Sequence, residues 1–446
     1  MADILLTAVS LFSLLPLELC LLIFDIVLAP GRDQLRLRHK VCRCSSQWYR
    51  FLLEHPRYWD RILVESAIPR EWILRYIALA RALPLRFHIS LNSSDPIVNL
   101  SYLAPHLAGA THFTVESDSD ETVHRLYLTF KGLVGPNLRF FALFFRPPPS
   151  RMGLVDYTPL MPRPWFGDAT FSGGSTQCLE ILHLCCAVVP FSRLFFPRLR
   201  VLRLWGVHPG YSLDLRSIRD VIVNSPCLTE VTFRRFSCTG LASDDLPAIM
   251  SASIQVLELG FSTDGSLAQL IALFEFPSLF DLTVEVGSDR HVEQLIAIPS
   301  SLLVGVTKLL IRNPLRYARS FIFRADLVFP LFPILTHLDI RNSRSAVFRS
   351  MVQDCVAFWD ANGSNLIPRL HRLFMNQAPV ADIARFAALY CCTSPSAVPL
   401  SLHTLHAGLW EQRIFDVPTE ADFAHRRWLQ NNVADFRLEY LGCPPY

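Results

Sequence analysis

One pattern dominates the chain: an apolar residue, two variable ones, a second apolar residue, one variable, and a third apolar residue. It stands as Leu138-Phe141-Leu143, Leu179-Leu182-Leu184, Leu199-Leu202-Leu204, Leu228-Val231-Phe233 and Ile254-Leu257-Leu259. It continues as Leu279-Leu282-Val284, Val306-Leu309-Ile311, Leu335-Leu338-Ile340 and Leu370-Leu373-Met375, with weaker copies at Ala110-Phe113-Val115 and Leu402-Leu405-Ala407. The last two apolar positions of each copy are two residues apart, so on an extended strand they point to the same side. One short strand with its return segment cannot bury that side alone, and neighbouring copies must stack to share a core.

Between middle residues, from Phe113 to Leu405, successive copies are 20 to 41 residues apart. Most intervals lie close to the roughly 20 to 29 residues of a leucine-rich repeat. Pro197, Pro226, Pro277 and Pro368 each stand two residues ahead of a copy, and each predicts a turn that delivers the chain into a strand. The Asn that usually follows the strand of a leucine-rich repeat is mostly missing, and the nearest candidates, Asn313 and Asn342, fall one place early. The expected class is α/β, with irregular leucine-rich-repeat-like units forming a solenoid. The strands of an ordinary parallel α/β sheet would satisfy the same pattern.

With 51% apolar and 18% charged residues in 446, the chain can bury a large core and lacks the polarity that keeps chains disordered. Its net charge of +3 calls for neither a nucleic-acid partner nor an anionic membrane surface. The twelve cysteines show no framework spacing, which fits a reducing compartment. The apolar stretch from Ile4 to Ala29 is interrupted by Pro16, Glu18 and Asp25, and Asp3 takes the place of a basic leader segment. The expected location is cytoplasmic, nuclear or both. The only lysines are Lys40, Lys131 and Lys308, against 39 arginines.

Ahead of the repeats, residues 1–66 read as short amphipathic helices, with Leu19, Leu22, Ile23 and Ile26 at helical spacing and a second run from Leu35 to Leu53. Within them stand Leu15-Pro16-Leu17-Glu18, then Leu22-Ile23-Phe24 and Val27, then Val41-Cys42-Arg43, then Trp48, Pro56 and Trp59. In order and spacing this segment resembles an F-box. The continuation, Trp72-Ile73 followed by Arg81-Ala82-Leu83-Pro84-Leu85-Arg86-Phe87-His88-Ile89, is similar to the region behind the F-box in mushroom-type fungal F-box proteins with irregular leucine-rich repeats. One spacing departs: the family places Trp three residues after the Cys, whereas Cys42 and Trp48 are six apart. Nearly one extra helical turn would keep the face; alternatively Ser45 occupies the Cys position.

The resemblance implies a substrate receptor of a Skp–cullin–F-box ubiquitin ligase acting in ubiquitin-dependent degradation. Residues 1–66 would bind a Skp-type adaptor and through it a cullin, and residues 67–446 would recruit a target protein. Residue by residue, it implies that Leu15, Pro16 and Glu18 lie at the adaptor-facing start of the first helix. Ile23 and Phe24 would pack into or beside the adaptor, Val41 and Cys42 would extend that surface, and Trp48 and Trp59 would hold the helices together. Alternatively these helices only cap the first repeat of a non-ligase interaction scaffold.

A P-loop, a G-x-S-x-G elbow, a dinucleotide G-x-G-x-x-G, H-E-x-x-H and paired C-x-x-C motifs are absent from the sequence. His39, Cys42 and Cys44 form the best metal-like cluster, but a second pair of ligands is not evident. No catalytic, cofactor or metal residue is therefore assigned, and the protein is expected not to be an enzyme. The Pro-rich stretch near 146–165 reads as an insertion between repeats, and Glu116 to Glu121 as a solvated acidic turn. Trp205, Phe233, Arg234, Arg235, Phe261 and Arg312 follow or end strand cores, where packing or a solvated ridge is the commoner role, and they are not assigned as contacts.

Overall fold

The computed structural model describes residues 15–28, 34–92, 100–119, 122, 126, 137–145, 177–185, 195–206, 212–234, 237–239, 249–260, 271, 274–286, 288–312, 323–340, 345–376, 379–391, 402–410 and 420–441. The Pro-rich stretch, Arg235 and Phe261 lie outside them. The fold is mixed α/β with parallel strands, and the chain divides into two compact units that part between Ile181 and Leu182.

The first unit opens with helices α1 (Leu17–Val27), α2 (Gln34–Cys44) and α3 (Ser46–Glu54) and a 3-10 turn at Pro56–Tyr58. Strand β1 (Arg61–Glu65), helix α4 (Arg70–Ala80), β2 (Leu85–Leu91), the short helix α5 (Ala104–Leu107), β3 (Ala110–Ser117) and β4 (Phe140–Phe145) follow. Strands β1 to β4 pair in chain order, all parallel. The helical run expected over 35–53 is two helices. Ser45 breaks it in extended geometry (φ −159°, ψ 142°), its hydroxyl accepting from the Gln47 amide at 3.1 Å as the N-cap of α3. Cys42 and Trp48 thus stand on different helices and share no continuous helical face.

Strand β1 lies inside 1–66 yet pairs with β2, and Trp59, just ahead of it, stacks on Tyr76 of α4 at 5.4 Å. Trp59, Ile62 and Val64 follow the apolar pattern and are all buried.

The second unit continues with β5 (Ile181–Cys185, beginning at the division), β6 (Val201–Trp205), α6 (Leu215–Val223), β7 (Glu230–Arg234), β8 (Val256–Gly260) and β9 (Asp281–Glu285). Helices α7 (Asp289–Ile296) and α8 (Ser300–Leu303), β10 (Lys308–Arg312), α9 (Ala325–Val328), β11 (His337–Ile340), α10 (Ser345–Asn362) and β12 (Arg372–Asn376) come next. The unit closes with α11 (Val380–Cys391), β13 (Thr404–Trp410), α12 (Glu420–Asn432) and β14 (Asp435–Leu441). These strands also neighbour one another in chain order, while two short parallel pairs, Ser212–Asp214 with Ser237–Thr239 and Ile249–Met250 with Phe274–Glu275, lie outside that ladder; α9 to α12 pack successively against each other.

The register explains the periodicity. Leu202, Val231, Leu257, Leu282, Leu309, Leu338, Leu373, Leu405 and Phe436 are direct partners from strand to strand, as are Ile62, Phe87, Phe113 and Phe141 in the first unit. Every apolar position of the eleven copies read from the sequence is buried. Strand entry repeats too: the amides of Thr229 and Glu230 both donate to the Arg200 carbonyl at 2.9 Å, and those of Thr336 and His337 to the Thr307 carbonyl at 2.9 and 3.0 Å. The expected turns are present: Leu228 donates to the Ser225 carbonyl across Pro226 at 3.0 Å, and Leu279 to the Phe276 carbonyl across Pro277 at 3.0 Å.

Leu309 is fully buried between its partners Leu282 and Leu338, whereas Leu310 points to the opposite, half-exposed face. Leu309→Ala is expected to cost about 2–5 kcal/mol by leaving a cavity, and Leu310→Ala about 1 kcal/mol or less. Urea unfolding followed by circular dichroism measures both; equal costs would contradict the assigned register.

Candidate docking surface on the N-terminal helices

Helix α1 starts at Pro16, whose fixed φ and carbonyl begin the turn: Leu19 and Cys20 donate to that carbonyl at 3.0 and 3.1 Å. Glu18 places a negative charge in the first turn, where the helix dipole favours it. Only a narrow stripe faces inward, formed by Cys20, Phe24 and Leu28 at four-residue spacing. Phe24 is 1% exposed, stacked on Phe51 at 4.9 Å and edge-on to Trp48 at 5.8 Å. At the end of the helix, Arg57 pairs with Asp25 at 3.0 Å, and the Tyr58 hydroxyl donates to Asp25 at 3.1 Å. One aromatic anchor and one ionic clasp thus fix α1 against α3 and the turn after it.

Apart from Glu18 and Asp25 the rest of α1 is apolar, and most of it is exposed. Leu15, Leu17, Leu19, Leu22, Ile23, Ile26 and Val27 are all exposed, Ile26 to 68%. Single exposed aliphatic side chains are ordinary, but a contiguous set along one helix marks an interaction surface. The periodic set Leu19, Leu22, Ile23 and Ile26, a natural core face by spacing alone, is the outward one.

The residues that sequence reading assigned to the adaptor therefore separate. Leu15, Pro16, Glu18 and Ile23 are exposed on or beside α1. Phe24 and Val41 are interior. Cys42 is half-buried and lines a cleft with residues of α3 and α4, where burial pushes its thiol pKa up. Trp48 packs on Phe24, and the Trp59 indole donates to the Leu52 carbonyl at 2.7 Å, so both tie helices together. Leu17, Leu19, Leu22, Ile26 and Val27 join the exposed face; the signal for them was a helix apolar on nearly every side.

In the second unit, the strand face opposite the core carries a closed ionic network. Arg234 and Arg312 both bond to Glu258, Arg234 also reaches Glu285 at 3.4 Å, and Lys308 bonds Asp281. Arg234 lies 5.4 Å from the Trp205 ring centroid. Gly260 leaves the room this needs, since a Cβ there would stand 2.9 Å from the Glu285 carboxylate. Trp205, Arg234 and Arg312 are thus tied into one half-buried surface, while Phe233 is core.

Among the described residues no helix is long and apolar enough to cross a membrane, and no group of three His, Cys, Asp or Glu is placed to hold a metal ion. The His39 side chain lies outside what is described. No protein-family model matches the chain, and no curated protein does either.

Phe24→Ala removes the anchor of α1 and is expected to destabilise the helical segment by about 3–5 kcal/mol. Leu22→Asp, on the uncovered face, should change stability by about 0.5 kcal/mol or less. Denaturant titration read through tryptophan fluorescence compares them; a large loss in Leu22→Asp would show that this face is packed.

Proposed function

We propose that this protein is the substrate-recognition subunit of a Skp–cullin–F-box ubiquitin ligase, acting in the cytoplasm, the nucleus or both. The observation that carries the reading is the uncovered apolar face of α1, on the same segment that resembles an F-box. A helix held by a single inward stripe, with seven aliphatic side chains left in water, calls for a partner that buries them.

The strand-bearing part is read as an irregular leucine-rich-repeat-like solenoid that recruits a target protein. Three features support this: each repeat gives one strand to the long parallel ladder, those strands pair in chain order without a reversal, and burial alternates along β1, β2 and β6, although β9 is buried throughout. A parallel sheet covered by helices on both faces would instead bury both sets of side chains. The half-exposed face that alternation leaves is where a target would bind, with Trp205 and the Arg234–Glu258–Arg312 network holding side chains in place.

In this role the chain performs no chemistry. The ligase's other subunits and the ubiquitin-conjugating enzyme supply the acyl transfer; this protein holds the target beside them, raising the effective concentration of its lysines. Only lysine among the two basic residues accepts ubiquitin, and three lysines in 446 residues leave few sites for modification of the receptor itself. Packing of the helices on the first strand also favours a capping role: the Arg38 guanidinium donates to the Arg61 carbonyl of β1 at 3.4 Å. Capping alone would leave the α1 face without a purpose.

Co-expression with a Skp-type adaptor tests the proposal. The intact chain should capture it stoichiometrically, and Leu22→Asp combined with Ile26→Asp should weaken capture at least about tenfold, the effect of burying charge in an apolar interface. Absence of capture by the intact chain, or equal capture by the double variant with an unchanged circular dichroism spectrum, would leave only the scaffold reading.

A further inference from the structure

The strand ladder of the second unit ends on β14, and its last layer is open. All of β14, from Asp435 to Leu441, pairs in parallel with Thr404 to Trp410 of β13. Among the described residues nothing pairs with the other edge of β14, which leaves a row of backbone donors and acceptors available to another strand.

Burial falls off at the same place. In the two core columns Leu373 and Leu405 are fully buried, and Met375 and Ala407 nearly so, whereas the next residues along, Phe436 and Leu438, are half-buried. Apolar side chains that lie between two neighbours elsewhere in the ladder have a neighbour on one side here. Arg437, between them in sequence, is exposed; its Nε bonds Asp435 at 3.0 Å, and its Nη groups have no partner among the described residues.

Charges on an edge strand deter pairing with most other strands, but those of β14 are complementary to themselves. Antiparallel pairing about a two-fold normal to the sheet joins two identical edges and keeps both cores on one side. Alternation then requires that Phe436 and Leu438 meet core positions of the other copy, not polar ones. Among the registers this allows, full overlap sets Leu438 opposite Leu438 and Arg437 opposite Glu439, the ion pair occurring twice by symmetry. A shift of two residues sets Arg437 opposite Arg437 in one direction and Glu439 opposite Glu439 in the other. Charge therefore selects the register that also forms the most backbone bonds.

Helix α12 fits the same symmetry. The two-fold turns it antiparallel to its copy on the same side of the sheet. Glu420 and Asp422 stand in its first turn, and Arg426 and Arg427 follow in its second half, so the reversal brings the acidic end of one helix toward the basic half of the other. Phe423, 55% exposed between these charges, is a large apolar side chain available to that contact.

We propose that the outer edge of β14 docks a second copy of this chain, the two β14 strands pairing antiparallel about a two-fold with Leu438 opposite Leu438 and Arg437 opposite Glu439. The surface is separate from the exposed face of α1, and the proposal does not rest on the ligase reading.

Sedimentation equilibrium of the intact chain tests this. A monomer–dimer equilibrium with a Kd of about 100 μM or tighter is expected. Arg437→Glu and Glu439→Arg each set like charges across the two-fold, and each should weaken dimerisation about tenfold or more with the circular dichroism spectrum unchanged. Mixed in equal amounts, the two variants should dimerise about as tightly as the unaltered chain, because position 437 of each then faces a position 439 of opposite charge. A chain that stays monomeric at that concentration, a dimer that withstands either substitution, or a mixture of folded variants no tighter than its components would each overturn the proposal.

Discussion

Successive strands of the second unit are joined at their starts by a forked bond, two adjacent amides donating to one carbonyl of the preceding strand. The acceptor series Arg200, Thr229, Gln255, Phe280, Thr307, Thr336 and His371 runs through seven consecutive steps. Because each fork fixes where the next strand begins, the apolar residues behind it fall into line: Leu257 beside Leu282, Leu309 beside Leu338, Leu373 beside Leu405. A slip of one residue would turn these side chains to the opposite face. Hydrophobic burial supplies most of the stabilisation, but the register decides which residues receive it. The prolines contribute by closing the turn ahead of several strands, among them those at Pro226 and Pro277.

Fixing one face frees the other. Positions such as Arg203 and Glu258 alternate with the core leucines, so their identity can vary without disturbing the ladder. In the second unit part of that freedom goes into the Arg234–Glu258–Arg312 network, whose charges largely neutralise one another. It therefore offers an ordered surface rather than a long-range electrostatic lure. At the start of the chain the same economy holds α1 by Phe24 and the Asp25–Arg57 pair, leaving its aliphatic side chains outward.

The strand cores were legible because a two-residue alternation next to a proline turn leaves few other solutions. From Phe113 to Leu405 every position of the pattern is buried. Strands β1, β2 and β14 were missed: Trp59-x-x-Ile62-x-Val64 fits the pattern but lies inside the helical segment, Pro84 takes the first place ahead of Phe87, and Phe436 and Leu438 at the end of the second unit are only half-buried. For α1 spacing alone does not choose the inward stripe, because the helix is apolar on most sides. Only tertiary contacts select Cys20 and Phe24 over Leu22 and Ile26. Ser45 could be read as a polar interruption, but its capping bond to Gln47 emerges only once the helix has ended there. Arg38 gave no signal, since nothing local distinguishes a buried arginine from the other 38.

Hydrogen–deuterium exchange of the intact chain, with and without a purified Skp-type adaptor, tests the central claim most directly. Slowed exchange confined to Leu17–Val27 and the neighbouring helices, with the strands from Val256 to Arg312 unchanged, is the result this account predicts. Protection centred on those strands, or none at all at saturating adaptor, would contradict it.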